Sequence, residues 1–595
     1  MSDKTQILTP KRLLDKITQA EKEYAKYHAL VKETRNYYKD NTTTSLTGNG
    51  RYNIFWSSIE TLKPFLYFKQ PSPYIERISK LPNPVENLAC RMLEKALQWD
   101  LTQFDFDSII KYARNDFLIS GSGIIWERYC PEFKEIKNPE SENEIISVKS
   151  GEKVISEYID PRYFIADCDN VGIWEDVTWV ARKQYMSRSR VAEIFGAEYD
   201  NGINSDETVT VYEVWYKPLR KVYWLSREFA YKFLKEVDDP LHLNGFFPCP
   251  KPIFATQTND SIIPTPDYVL IKEMLNELNG VTQRMKLVMQ ALKVSGAYDK
   301  SFPELYNILN KEVTLVAVSD FQKLKDCGGI RGIIDFAPIE QYIQALEQLS
   351  VRREDIIKRI FDVTGVSDIM RGNSNTVETA TAVKQKTNFG TLRNQDRQND
   401  MQRFIADLYR LKAEIICEQF SEKTLAGFLN DDEKQDKLLV AQAVLLLKTE
   451  KLRGMILRVE SDAVFNQDEE HQKNIDSVST INTMIKEAFD MVSIQPLLLP
   501  LYRSMIESVI TGMPKARQFE NILEQTFNNI SKDLQKPITQ ETNSEAEIQR
   551  ALALVQQEKN NLKRRELDIK EFSEKEKALV NRAELLLKKE SLPHE

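Results

Sequence analysis

Large apolar residues recur from 271 to 292 at alternating spacings of three and four: Ile271, Met274, Leu278, Val281, Met285, Val288 and Leu292. This is a heptad seam, one stripe of an α-helix that packs against another helix. A second seam follows at Ile339, Tyr342, Leu346, Leu349, Arg353, Ile356 and Ile360, interrupted by the charge of Arg353. Thr265-Pro266 starts the first of these helices. Between them lies an insert, Val294 to Ala337, in which EVTLVAVSDF reads as a strand and KDCGGIRGIIDF as a turn and another strand. The expected order is helix, small α/β insert, helix.

Beyond the second seam comes SDIMRGNSNTVETATAVKQKTNFGTLR (367–393). It carries a short polar tip, Arg371, Gly372, Asn373, Ser374, Asn375 and Thr376, between two long helices. Asn375 with Glu378 three residues later resembles a capping box, so a helix is expected from Thr376 to about Phe420. Its middle is polar, Gly390 is a candidate kink, and Ile405, Leu408, Leu411 and Ile415 restore an apolar face.

Elsewhere the period varies. Thr9-Pro10 opens a helix to about Lys39, with Thr9 as its cap. Asn53 to Phe68 reads as a helix broken by Pro64, QPSPYIERI as a strand, and 85–118 as helical. From Gly123 to Leu234 the segments GIIWERY, KVISEYI, VTWVARKQY, TVTVYEVWYK and KVYWLS are rich in β-branched and aromatic residues and read as strands. FFPCPKPIFAT is too rich in proline for a central strand and reads as a linker or edge segment. Residues 430–530 read as mostly helical. From Glu545 to Glu590 mixed charges surround a thin apolar stripe through Ile548, Leu552, Val555, Leu562, Ile569, Phe572 and Leu579, a solvated helix of about 70 Å. The fold class is α+β, predominantly helical.

Composition narrows the picture modestly. The 595 residues allow several domains; 42% are hydrophobic and 29% charged, a globular mixture. A net charge of −8 disfavours tight, non-specific clinging to nucleic acid. The first residues have no apolar core of a secretory signal, and no run of about 18 apolar residues predicts a membrane span. Cytosolic folding is the expectation. Six dispersed cysteines, without a C-x-x-C pair, read as reduced thiols rather than a disulfide framework or zinc site.

Searching for chemistry returns little. The P-loop pattern is absent, and Gly48-Asn49-Gly50 and Gly121-Ser122-Gly123 lack the rest of a dinucleotide fingerprint and read as turns. His28, His242, His471 and His594 form no readable metal or catalytic pattern. Asp105-Phe106-Asp107 and Asp167-Cys168-Asp169 could hold a divalent ion, but acids at this spacing are ordinary in loops and caps. The acidic run Asp468, Glu469, Glu470 and His471 reads as a solvated helix face. No catalytic residue, metal or cofactor is expected.

Four stretches nevertheless carry a likeness: RYNIFWSSIETLKPFLYFKQPSPYIERI, FPCPKPIFATQTNDSIIPTPDYVLIKEMLNELN, GGIRGIIDFAPIE and VTGVSDIMRGNSNTVETATAVKQKTNFGTLRNQDRQNDMQRFIADLYRLKAEII. Together, over roughly 50–420, they resemble portal (head-tail connector) proteins of short-tailed double-stranded DNA bacteriophages. The likeness fades beyond 420. It implies a ring, usually of twelve copies, at one capsid vertex, assembled in the host cytoplasm and carried in the virion. Double-stranded DNA would pass through it, independently of sequence, during packaging and ejection. The implied partners are a terminase motor, which hydrolyses the ATP, a tail adaptor, scaffold and the major capsid protein, with no membrane.

By the same resemblance, 1–263 is the wing, 264–293 the first stem helix, 294–337 the clip, 338–361 the second stem helix, 362–378 the tunnel loop and 379–420 a long wing helix. Residues 421–530 form the crown, and 531–595 a C-terminal helix, a barrel or a disordered tail. Arg371, Asn373, Ser374, Asn375 and Thr376 become channel residues, polar enough to touch phosphates without holding them. Lys286, Lys293 and Arg353 are candidate channel-facing stem charges. The stem would pack through Ile271, Met274, Leu278, Val281, Met285, Val288, Leu346, Leu349, Ile356 and Ile360. From the residues alone, a coiled-coil structural adaptor or scaffold without a closed channel explains the heptads equally. A DNA-cutting enzyme would need a carboxylate cluster, and none can be placed.

Overall fold

Thr9 and Pro10 begin helix α1 (Pro10–Tyr38) as their chemistry dictates: the backbone N–H of Arg12 donates to Thr9 Oγ1 at 3.3 Å, and Pro10 occupies a position that needs no donor. A computed structural model describes residues 8–40, 53–78, 83–137, 145–169, 171–196, 199, 207–229, 232–291, 296–298, 321–326, 328, 334–336, 339–366, 380–429, 436–459 and 483. The chain divides into two compact units, 1–459 and 460–595. The described helices and strands belong to the first.

That unit is α+β. Leu13, Leu14, Ile17, Ala20, Tyr24, Tyr27 and Val31 form the buried stripe of α1. The stripe lies on one face of a five-stranded antiparallel sheet, ordered β4 (Phe164–Ala166), β5 (Trp179–Ser187), β6 (Thr208–Tyr216), β7 (Lys221–Ser226) and β8 (Lys235–Asp238). Strand alternation sorts the side chains: Trp179, Ala181, Tyr212 and Val214 meet α1, while Val180 and Trp215 enter the main core on the other face. A short helix, α5 (Arg188–Phe195), interrupts the run that the sequence reads as strands only.

The main core gathers α2 (Ile54–Leu66), α3 (Pro84–Gln103), α4 (Phe106–Ser120) and the inner ends of a long hairpin, β2 (Ser122–Lys137) with β3 (Ile145–Ile159). Pro64 does not break α2; it stands in the last turn, where one lost backbone bond is tolerated. The helical stretch 85–118 is two helices, parted at Phe104 and at Asp105, whose φ of 49° lies in the left-handed region. Gly121 ends α4 at φ 83°, and Gly123 lets β2 approach so closely that a Cβ would stand 2.5 Å from the Ala113 carbonyl oxygen. The proline-rich segment contributes β9 (Ile253–Phe254), paired to the start of β2. A two-stranded ribbon follows, β10 (Thr256–Thr258) with β11 (Ser261–Thr265).

Three further helices complete the unit after the polar tip: α9 (Ala380–Gln419), α10 (Glu422–Gly427) and α11 (Lys437–Glu450). The helix expected from Thr376 is present from Ala380 and runs through Gly390. Within 430–530, Gly454 turns the chain at φ 83° out of the helical stretch into β14 (Met455–Val459), which pairs antiparallel with β1 (Pro73–Arg77). Leu425, Leu429, Ala443, Val444, Leu447 and Leu457 all sit in the main core. By packing these residues belong to the same compact unit as α3 and β1, which cover them, and that unit ends at Val459.

Candidate functional site

The two heptad helices are α6 (Tyr268–Ala291) and α8 (Ile339–Thr364), packed antiparallel as a hairpin. At 1.5 Å per residue α6 is about 36 Å long. Its inner end is buried: Tyr268, Ile271, Leu275, Leu278 and Val281 from α6 meet Ile356, Ile360 and Phe361 from α8 in the main core. Farther out Met285, Val288, Tyr342, Leu346, Leu349 and Arg353 are only half-buried. Among the seam residues expected to pack, Met274 is also half-buried, because Leu275 turns inward beside it. At the outer end β12 (Gly296–Tyr298) pairs with β13 (Ile334–Phe336) and closes the hairpin. Within the insert a short helix, α7 (Phe321–Asp326), starts where a strand was expected to end.

The root of the hairpin is clamped by polar bonds. Arg397 on α9 pairs with Asp267, just ahead of α6, at 2.6 Å, and Thr256 Oγ1 donates to the same carboxylate. Buried Asn394 donates to the carbonyl of Gly365, where α8 ends at φ 73°, at 2.9 Å. Gln398 donates to the Phe65 carbonyl, and Glu33 of α1 accepts from Tyr268 and pairs with Lys272. Helix α9 continues for 14 residues ahead of Asn394, an overhang of about 20 Å beyond the clamp.

Helix α9 is fixed to the body by a buried charge cluster. Lys412 Nζ, 1% exposed, donates to Asp100 Oδ2 and to the Val154 carbonyl, both at 2.7 Å, and lies 3.4 Å from Glu127 Oε2. Asp100 also accepts from the Val154 N–H, and Glu127 accepts from Ser156 Oγ. One cation between two carboxylates leaves a negative charge in a dry site. Burial, with Asp100 alongside, pushes Glu127 up to about 7, although Lys412 and Ser156 oppose this.

The candidate channel residues Arg371, Asn373, Ser374, Asn375 and Thr376 lie outside the described residues, as do Lys293, Leu292 and the Asn375–Glu378 pair. So do EVTLVAVSDF up to Asp320, Gly48 to Gly50, His471, His594, and the acidic run at 468–471. Lys286 is exposed on the outer half of α6, and Arg353 is half-buried in the α8 seam. Asp107 accepts from the Tyr67 hydroxyl at 2.8 Å and pairs with Lys111; Asp167 accepts from Thr178. Among the described residues no three His, Cys, Asp or Glu side chains converge as metal ligands, and Cys90, Cys130, Cys168, Cys249 and Cys417 are free thiols. No described helix is long and apolar enough to cross a membrane.

Sequence reading missed the clamp and the cluster. Lys412 leaves a trace, a lysine four residues from both Leu408 and Ile416 on an apolar face, but Asp100 and Glu127 lie some 300 positions away. No protein-family model matches the chain, and no curated protein matches it.

Proposed function

We propose that this chain is the subunit of a phage portal: a ring at one capsid vertex through which double-stranded DNA is packaged and ejected, and on which terminase and tail adaptor dock. The observation that carries this reading is the hairpin of α6 and α8, rooted in an α+β body and closed at its far end by the β12–β13 pair. In this assignment the hairpin is the stem and the insert is the clip. The wing is the body on α1 to β11, joined by α9. The polar stretch 371–376 falls between the end of α8 and the overhang of α9, which suits a loop that leaves the body and returns. Scaffold and the major capsid protein are the remaining partners, and no chemical step is assigned to the chain.

Negative-stain electron microscopy with mass photometry tests the reading. Closed rings of about twelve copies with a central hole are expected, from the protein alone or co-expressed with scaffold. Open or rod-like assemblies under both conditions would favour a coiled-coil adaptor or scaffold, which the seams alone would also serve. In assembled rings Arg371→Ala is expected to leave the ring intact and to impair DNA packaging or retention. Unchanged packaging would remove Arg371 from any phosphate contact.

A further inference from the structure

The hairpin has two broad faces, and their side chains differ. The Arg352–Glu277 bridge, 2.6 Å, marks the first face. On α6 it carries Glu277, Gly280, Arg284 and Leu287, at helical spacings of three and four. On α8 it carries Gln341, Gln348, Arg352 and Arg359. The second face carries Asn279, Lys286 and Met289 from α6, and Glu340, Ile343, Glu347 and Glu354 from α8. Each face exposes large apolar side chains to solvent: Leu287 is 54% exposed on the first, Met289 59% and Ile343 44% on the second.

We infer that the first face of one copy packs against the second face of the next, head to tail, through Arg284 with Glu347 and Leu287 with Ile343. This deepens the ring reading above and rests on it. Three observations carry it. The charges are complementary: Glu340, Glu347 and Glu354 have no ion-pair partner among the described residues, and the opposite face offers arginines. The levels agree: counted outward from the Glu277–Arg352 bridge, Arg284 and Glu347 stand about 10 and 8 Å along the hairpin, and Leu287 and Ile343 about 15 and 14 Å. With the hairpin running along the ring axis, copies related by rotation keep every residue at its own level, so these pairs meet without sliding. Finally, Gly280 sits in the middle of α6 with nothing within 4 Å of where a Cβ would stand. A glycine there weakens the helix and gains nothing inside the chain, but it lets a neighbouring backbone come close.

Full-length protein, with scaffold where assembly requires it, is measured by mass photometry across concentration, with circular dichroism on the same samples. Arg284→Glu and Glu347→Arg are each expected to raise the concentration for half-assembly at least about tenfold. The double variant should recover most of that loss. Gly280→Leu should fold with an unfolding midpoint no lower than the natural chain yet assemble as poorly as the charge reversals. Rings that form normally in all three single variants would overturn this interface and leave the ring reading standing. Failure of the natural chain to form rings under any of these conditions would overturn both.

Discussion

Lys412→Met removes the cation that pairs with Asp100 and Glu127 and leaves both carboxylates buried. Breaking a buried pair by deleting one partner costs about 3–5 kcal/mol, because the remaining charge is stranded. The pH dependence gives the sharper test. Glu127 titrates at about 7 in the folded chain against 4.5 ordinarily. Between those values the folded chain holds a proton that the unfolded chain has lost. Stability therefore falls as pH rises from about 4.5 to 7 and is level above, a loss of about 3 kcal/mol from this one group. Glu127→Gln keeps the shape and the bond to Ser156 but cannot ionise, so its advantage over the natural chain should grow across that window. Lys412→Met should show the opposite, with damage greatest above pH 7, where both carboxylates must stay charged. Urea or thermal midpoints of the three proteins at pH 5, 6, 7 and 8.5 decide it. Parallel pH profiles for Glu127→Gln and the natural chain would refute the account of Glu127 as a buried, surplus carboxylate.

Glu152 should act in the reverse sense: it accepts from Ser421 N–H and Thr424 and pairs with Lys149, and its carboxyl is held down at about 2. Its contribution is present above about pH 4.5 and is lost toward pH 2, so Glu152→Gln should lower the midpoint at pH 7 and lose that effect in an acid titration. Asn394→Ala strands the Gly365 carbonyl, at a cost of about 1–3 kcal/mol, and hydrogen exchange should quicken at the end of α8 and not in the β4–β8 sheet. Gly123→Ala drives a Cβ to 2.5 Å from the Ala113 carbonyl oxygen, so α4 and β2 must part; a midpoint equal to the natural chain would show that the contact yields freely.

Sequence reading succeeds where the determining contacts are local. Thr9 caps α1 through a residue three positions on, and the seams of α6 and α8 are written in spacings of three and four. It fails where partners are far apart. Met455–Val459 holds the β-branched Ile456 and Val459 but looks like part of a helical region, until β1, more than 370 residues earlier, supplies its ladder. The pairing of Gly296–Tyr298 is invisible for the same reason, since its partner lies across the insert. The left-handed turn at Asp105 has no glycine to announce it, so the helical pattern over 85–118 does not show where its two helices part. The clamp residues Asp267, Asn394 and Arg397 are ordinary polar residues in sequence and gain meaning only when α9 crosses the hairpin root.

Burial falls off outward along the hairpin. Its seam is dry at Ile271, Leu278 and Val281 and at Ile356 and Ile360, and half-exposed from Met285 and Leu349 outward. Two helices alone cannot cover their own apolar residues, so the inner half is stabilised by the body, and among the described residues the outer half has no equivalent. Leu287, Met289 and Ile343 leave roughly half of each side chain in water, and covering one of them is worth on the order of 1 kcal/mol. Contact repeated on both faces of every hairpin would supply that cover at each level.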